Sequence, residues 1–230
     1  MLEKNLDEVR NRMRRACERS GRNPEEVTLI AVSKTKPVSM IQEAMLAGQT
    51  EFGENRPQEL RDKALVLGNT TIRWHMIGSL QKNKIKYVLD TAALIHSVDS
   101  IALAEEIARE AQKRSLTANV LLEVNIAEEE SKHGFSASEV SFAYQCLCGL
   151  SGIQIRGLMT VAPYTKQPET NRVYFRKMKQ LLIDIKSKNI DNNTMNILSM
   201  GMTSDYEVAI EEGATMVRIG TGIFGERNYP

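Results

Sequence analysis

Two cations stand where a soluble chain seldom puts them. Lys34 closes a run of apolar and β-branched residues in TLIAVSKTKPVS, before Pro37 stops any strand. Arg218 lies inside MVRIG, an apolar run with a guanidinium in its middle. Burying an unpaired ion is costly, so a lysine at a strand end is more often a solvated one. Arginine only donates hydrogen bonds, so a buried Arg218 requires an acceptor. A third feature is a pair of loops suited to an anion. After LSM, Gly201 lets the chain turn, and Thr203, Ser204 and Asp205 are each good N-caps for YEVAIEEG. After MVRI comes GTG, Gly220 to Gly222, with little side-chain bulk. Backbone N–H groups and a helix dipole favour a phosphate in such loops without requiring a lysine.

The elements that must position these groups alternate regularly. Leu2, Leu6, Val9, Met13 and Cys17 recur at helical spacing and predict a first helix, ended by SGRNPEE. Strands are expected at TLIAVSK, TEFGEN, RWHMIG, LIHSV, NVLLEVN, IQIRGLMT, MNILSMGM and TMVRIG, with a helical segment between each and the next. One of those segments, LQKNKIKYVLD, is expected as a basic helix. Such alternation implies parallel pairing with right-handed crossovers. Eight units in 230 residues predict an α/β fold: one (β/α)8 TIM barrel over residues 1–230, with an extra N-terminal helix. An open doubly wound sheet shares the same spacing. In a barrel, reactive groups gather at the C-terminal ends of strands. Lys34, Asn55, His75, Ser97, Asn125, Thr160, Ser199 and Arg218 are the polar residues expected there.

Loops after the seventh and eighth strands commonly hold a phosphate in barrels of this kind. A lysine at the end of the first strand then lies across from that cradle. An amine held near an anchored phosphate suggests pyridoxal 5'-phosphate bound as a Schiff base on Lys34. Desolvation and a nearby cation such as Arg218 favour the nucleophilic amine. The pyridine nitrogen is a natural acceptor for Arg218.

AVSKTKP, FGENRPQEL, HMIGSLQKNK, SKHGF, GLMTVAP, LSMGMTSDYEVAI and GATMVRIGTGIFG together resemble the pyridoxal phosphate homeostasis protein family, similar in fold to the N-terminal barrel of bacterial alanine racemase. The resemblance spans nearly the whole chain. It implies Lys34 carrying the cofactor, Arg218 facing the pyridine nitrogen, and the phosphate held around Ser199, Thr203, Gly220 and Thr221. It also implies a role in vitamin B6 and amino-acid balance, without an established reaction. Thr203 stands where the family more often has serine, which keeps the hydroxyl.

Four further readings complete the candidate set. Asn55, ending FGEN, is expected at the cofactor ring edge, with an Asx-type turn as the alternative. His75 either flanks the ring or is a core histidine. Met159 and Met200 touch the cofactor or, as methionines more often do, fill core. Lys132 and His133 belong to NIAEEESKHGF, a charged loop above the barrel mouth. No catalytic or metal-ligating residue is assigned. The alternative is an amino-acid racemase-like enzyme, whose second base comes from an added domain. Tyr164 and Tyr206, expected in loops near the mouth, are the substitutes for that base.

Bulk properties narrow the partners. A net charge of +1 with 26% charged residues gives no basic surface for nucleic acid. QKNKIK lacks aromatic interleaving and reads as a solvated face. No apolar run approaches the roughly 20 residues that span a bilayer. The mixed-charge N-terminus MLEKNLDEVRNRMRR does not read as a leader. Cys17, Cys146 and Cys148 have no zinc-like spacing and read as reduced thiols. A cytoplasmic monomer is expected, with apo pyridoxal phosphate enzymes as recipients.

Overall fold

The computed structural model describes residues 1–68, 71–188 and 195–226. Eight parallel strands close into a barrel in chain order. They are β1 (Thr28–Val32), β2 (Glu51–Glu54), β3 (Arg73–Met76), β4 (Ala92–Val98), β5 (Ala118–Glu123), β6 (Ile153–Met159), β7 (Ile197–Met202) and β8 (Met216–Ile219). Outside lie α1 (Leu2–Arg19), α2 (Val38–Leu46), α3 (Pro57–Leu67), α4 (Ile101–Gln112), α5 (Val140–Leu147), α6 (Arg172–Ser187), α7 (Tyr206–Glu211) and α8 (Thr221–Phe224). The open sheet is therefore set aside, because β8 pairs with β1, Ile30 opposite Arg218 and Ala31 opposite Ile219.

One expected helix is different. Between β3 and β4 the chain forms only a 3-10 helix, Lys82–Tyr87. Gln81 gives it no side-chain cap. Lys82, Lys84 and Lys86 crowd like charges, and Asp90, the one carboxylate a turn away, pairs with Arg114, so a longer α-helix gains little side-chain support. Its Ile85 is nonetheless fully buried, so the segment still covers the barrel.

Strand alternation separates two cores. The larger joins the helices to the outward strand positions and includes Leu6, Ile41, Phe52, Leu60, Phe175 and Met200. The smaller, Leu94, Leu121 and Met159, consists of strand residues alone and fills the lumen. His96 follows Leu94 by two residues, Ser199 follows Ile197, and Arg218 follows Met216, so these polar groups share the lumen. Helix α1 buries the predicted stripe against α7 and α8: Asn5 Nδ2 donates to Ile223 O at 3.0 Å, and just beyond the helix Arg22 Nη1 donates to Ile210 O and Ala214 O at 2.6 and 2.8 Å. Among the described residues, no helix is long and apolar enough to cross a membrane.

Candidate functional site

Lys34 follows β1 by two residues and shares the lumen-facing register of Ile30 and Val32. Barrel closure sets it against the end of β8. Val32, Lys34, Lys36, Gly220, Thr221 and Gly225 line one small pocket. Lys36 is committed elsewhere: its Nζ donates to the carbonyls of Phe224 and Glu226, both at 3.1 Å.

The backbone on either side of Lys34 is clamped. Lys63, buried on α3, donates at 2.7 Å to each of Ser33 O, Glu54 Oε1 and Glu59 Oε1, which uses all its protons. Ser33 Oγ donates to Glu54 Oε1 at 2.6 Å, and Thr35 N donates to Glu59 Oε1 at 2.7 Å. Thus one ion cluster holds the residue before the lysine and the residue after it. Thr35 needs that restraint, because its φ of 64° lies in the left-handed region that disfavours a β-branched residue. Burial pushes the Glu54 carboxyl above its ordinary value, against the opposing pull of Lys63 and Ser33. Glu54 Oε2 is buried without a hydrogen-bond partner.

Arg218 is 4% exposed, and its acceptors are Ser199 Oγ at 2.5 Å and Thr160 O at 2.8 Å. Burial lowers its pKa to about 10, opposed by the charges of Glu123 and Asp205, so it stays cationic at neutral pH. The loops after β7 and β8 adjoin. The turn expected at Gly201 is instead an irregularity within β7: φ is 90°, and a Cβ there would lie 2.5 Å from Ala209 Cβ, so only glycine fits. A Cβ on Gly222 would lie 3.0 Å from Ile219 Cγ2 and 3.2 Å from Thr203 Cγ2, which places Thr203 beside the GTG loop. Of the three caps anticipated, Asp205 occupies the N-cap of α7. Its carboxylate reaches backwards, accepting from Met202 N at 2.7 Å and Asn171 Nδ2 at 2.8 Å, and so folds the loop after β7.

Several sequence candidates have other work. Ser199 was expected at the phosphate, but it is fully buried, with its hydroxyl bonded to Arg218 and to His96 Nδ1 at 3.0 Å. His75 is a core histidine: its ring nitrogens meet His96 at 2.9 Å and Glu51 at 2.5 Å. Met159 packs in the lumen with Leu94 and Leu121, whereas Met200 belongs to the helix-facing core. Ser97, Asn125 and Thr160 fasten loop backbone, through Gly78 O, Glu129 O and Val124 O respectively. Lys132 Nζ is bonded to Glu129 Oε1 and to Val161 O, and with His133 it lines a cavity of about 190 Å³ beside Glu123. Tyr206 is not at the mouth. It is buried in the outer core beside Arg12, and burial pushes its hydroxyl up to about 12. Tyr164 is 86% exposed. Asn55 lies just past β2, and its Oδ1 is buried without a partner.

Sequence reasoning passed over Glu123, at the end of β5. Burial, then repulsion from Asp99, raises its pKa to about 7, with Arg218 opposing. Only its position two residues beyond the lumen residue Leu121 signalled it. The raised value means that the fold disfavours the ionised carboxyl. Stability on this account is fully present below the unfolded value of about 4.5 and falls as pH rises to about 7. Glu123→Gln is therefore expected to stabilise the protein at pH 8, by at most about 3 kcal/mol, and to change little at pH 4. Urea unfolding at both pH values checks this; equal effects at the two would contradict it.

Comparisons with known proteins bear on the fold and the family. The family model of the alanine racemase N-terminal domain matches residues 4–228. A pyridoxal phosphate homeostasis protein of Aquifex aeolicus is 43% identical, covering 97% of each chain. One from Escherichia coli K12 is 40% identical over 98% of this chain and 96% of its own. Among solved structures, PipY of Synechococcus elongatus PCC7942, with pyridoxal phosphate bound, superposes with a TM-score of 0.85 at 33% identity, covering 98% of this chain and all of that one. By sequence and by fold, the chain belongs to the alanine racemase N-terminal domain family and, within it, to the pyridoxal phosphate homeostasis proteins.

Proposed function

We propose that this protein binds pyridoxal 5'-phosphate through Lys34 and serves to buffer or deliver it. The observation that carries the reading is the seam: pairing of β8 with β1 sets Lys34 against Gly220 and Thr221, an amine beside an anion loop. The residues present fit the group. Asn55 Oδ1 is a buried acceptor with no partner, and leaving one so costs roughly 1–3 kcal/mol unless a ligand supplies a donor. Thr203, Gly220 and Thr221 would take the phosphate, Lys34 the aldehyde carbon, and Arg218 the ring nitrogen. When bound, the cofactor supplies an electron sink for bonds at an amino-acid α-carbon. Borohydride reduction followed by peptide mapping is expected to place the label on Lys34. Label on Lys36 or Lys82 in its place would sink the assignment.

The role proposed is that of a carrier and not an enzyme. A ring nitrogen facing a cation that cannot accept a hydrogen bond is held unprotonated, and the sink is then weak. Turnover would require well-placed bases on both faces of a substrate. Tyr206 and Tyr164 are poorly placed for that part, for the reasons of burial and exposure given above. Glu123 favours a second reading, because a carboxyl titrating at about 7 near Arg218 is a workable acid–base group. The two readings separate on α-proton exchange of alanine in deuterated water. A carrier leaves exchange near background; rapid exchange, lost in both Lys34→Ala and Glu123→Gln, makes the protein an enzyme. Its free cysteines suit a reducing compartment, and apo enzymes there are the recipients in this reading.

A further inference from the structure

Five polar groups of the lumen form one continuous chain. Glu51 Oε2 lies 2.5 Å from His75 Nε2, and His75 Nδ1 lies 2.9 Å from His96 Nε2. His96 Nδ1 is 3.0 Å from Ser199 Oγ, which Arg218 Nη1 approaches to 2.5 Å. The directions of these bonds follow from their ends. A guanidinium only donates, so Ser199 Oγ accepts; a carboxylate only accepts, so His75 carries its proton on Nε2. Carrying that one ring proton alone, as this order requires, His75 accepts at Nδ1, and His96 donates from Nε2. His96 in turn accepts at Nδ1, and the Ser199 hydroxyl is its donor. Every bond points from Arg218 towards Glu51. Burial, reinforced by His75 and Arg218, holds the His96 pKa well below its ordinary value, which suits the neutral ring this order needs.

We propose that Glu51, His75 and His96 are positioning residues that act through Ser199 to fix the orientation of Arg218, the residue that would meet the cofactor's ring nitrogen. A hydroxyl that gives its own proton away is a stronger acceptor. His96 therefore tightens the bond between Ser199 and Nη1, while Thr160 O takes Nη2 at 2.8 Å. With both terminal nitrogens anchored, the guanidinium presents one fixed edge to the mouth. Glu51 lies at the start of β2, at the opposite end of the barrel, and fixes the polarity of the whole chain. The inference rests on Arg218 being the partner of the ring nitrogen.

The chain is tested first without added cofactor. Two-bond ¹H–¹⁵N correlation on histidine-labelled protein reads the tautomers of its three histidines. His75 and His96 are both expected to carry the proton on Nε2. A proton on Nδ1 of either reverses the order and overturns the proposal. The second arm compares two variants of His96. In His96→Asn the carboxamide oxygen takes the place of Nδ1 and keeps an acceptor for Ser199. In His96→Gln the amide reaches the Nε2 position and that acceptor is lost. Pyridoxal phosphate is expected to bind about tenfold more weakly to His96→Gln, and the ¹⁵N resonance of its ring nitrogen to shift. His96→Asn is expected to stay within about threefold of the parent. Equal behaviour of the two reduces His96 to core filling and overturns the proposal. A parent protein that takes up no pyridoxal phosphate overturns the site assignment instead. In that case, or if the variants fail to fold, the tautomers alone decide the chain.

Discussion

Replacing Lys63 with methionine is expected to destabilise the protein by about 3–5 kcal/mol at pH 8, the usual cost of stripping a buried carboxylate of its partner. Glu54 is fully buried and Lys63 only 7% exposed, so water cannot take over. The loss should shrink towards acid pH. Without Lys63 the folded pKa of Glu54 rises further above its unfolded value, so the penalty is absent where the carboxyl is protonated in both states. It grows as pH climbs from the ordinary carboxylate range through the folded pKa. Lys63→Met combined with Glu54→Leu should recover most of the loss, since an apolar replacement of a buried ion pair is often neutral. Loss of Lys63 also frees Ser33 O and leaves Glu59, which holds Thr35 N, without its cation, so Lys34 should react more slowly with pyridoxal phosphate. Urea titrations at pH 5 and pH 8 measure the first effect. A change below about 1 kcal/mol at pH 8 would mean that the cluster does not hold this part of the barrel.

Pyridoxal lacking its phosphate should bind at least about a hundredfold more weakly than the phosphorylated form. A hydrogen bond to a charged group is worth about 1.5–3 kcal/mol, and two of them already give that ratio. Thr203→Ala removes one such bond and should cost about 1–3 kcal/mol of the affinity for the phosphorylated form. It should leave the affinity for pyridoxal nearly unchanged. That asymmetry is the useful observation, because damage to the fold would weaken both ligands together. Fluorescence titration with each ligand measures it. Equal affinity for the two would remove the phosphate from the loops after β7 and β8.

The barrel was legible because each strand is a short apolar run closed by a turn signal, and each crossover carries a helical stripe. Lys34 and Arg218 stood out because cations in such runs demand partners. The partners themselves were not legible. Glu54 meets Lys63 only because β2 turns its even positions outward onto α3, and nothing in FGENRPQELRDK fixes that angle. His75 reaches His96, and His96 reaches Ser199, across strands whose stagger is a property of the closed barrel. For the same reason Ser199 read as a phosphate ligand at the end of its strand, whereas it stands in mid-β7 with Arg218 and His96 as its partners. Tyr206 was misplaced because proximity in sequence to the phosphate loop says nothing of which side of the strand it packs on.

The seam between β1 and β8 has a consequence for biosynthesis. The amine and the anion loop of the proposed site are 186 residues apart in the chain, and meet only when the last strand pairs with the first. A nascent chain on the ribosome carries Lys34 from early on, yet has nothing with which to distinguish a phosphorylated aldehyde from any other. Selectivity can emerge only after β8 has been made, together with closure. Bound as proposed, the molecule would span the joint in the barrel that brings the two ends of the sheet together. A ligand present at a hundred times its dissociation constant adds about 2.7 kcal/mol to whatever state binds it. Here that state is the closed ring, so the supply of the vitamin would itself act as a folding aid for newly made copies.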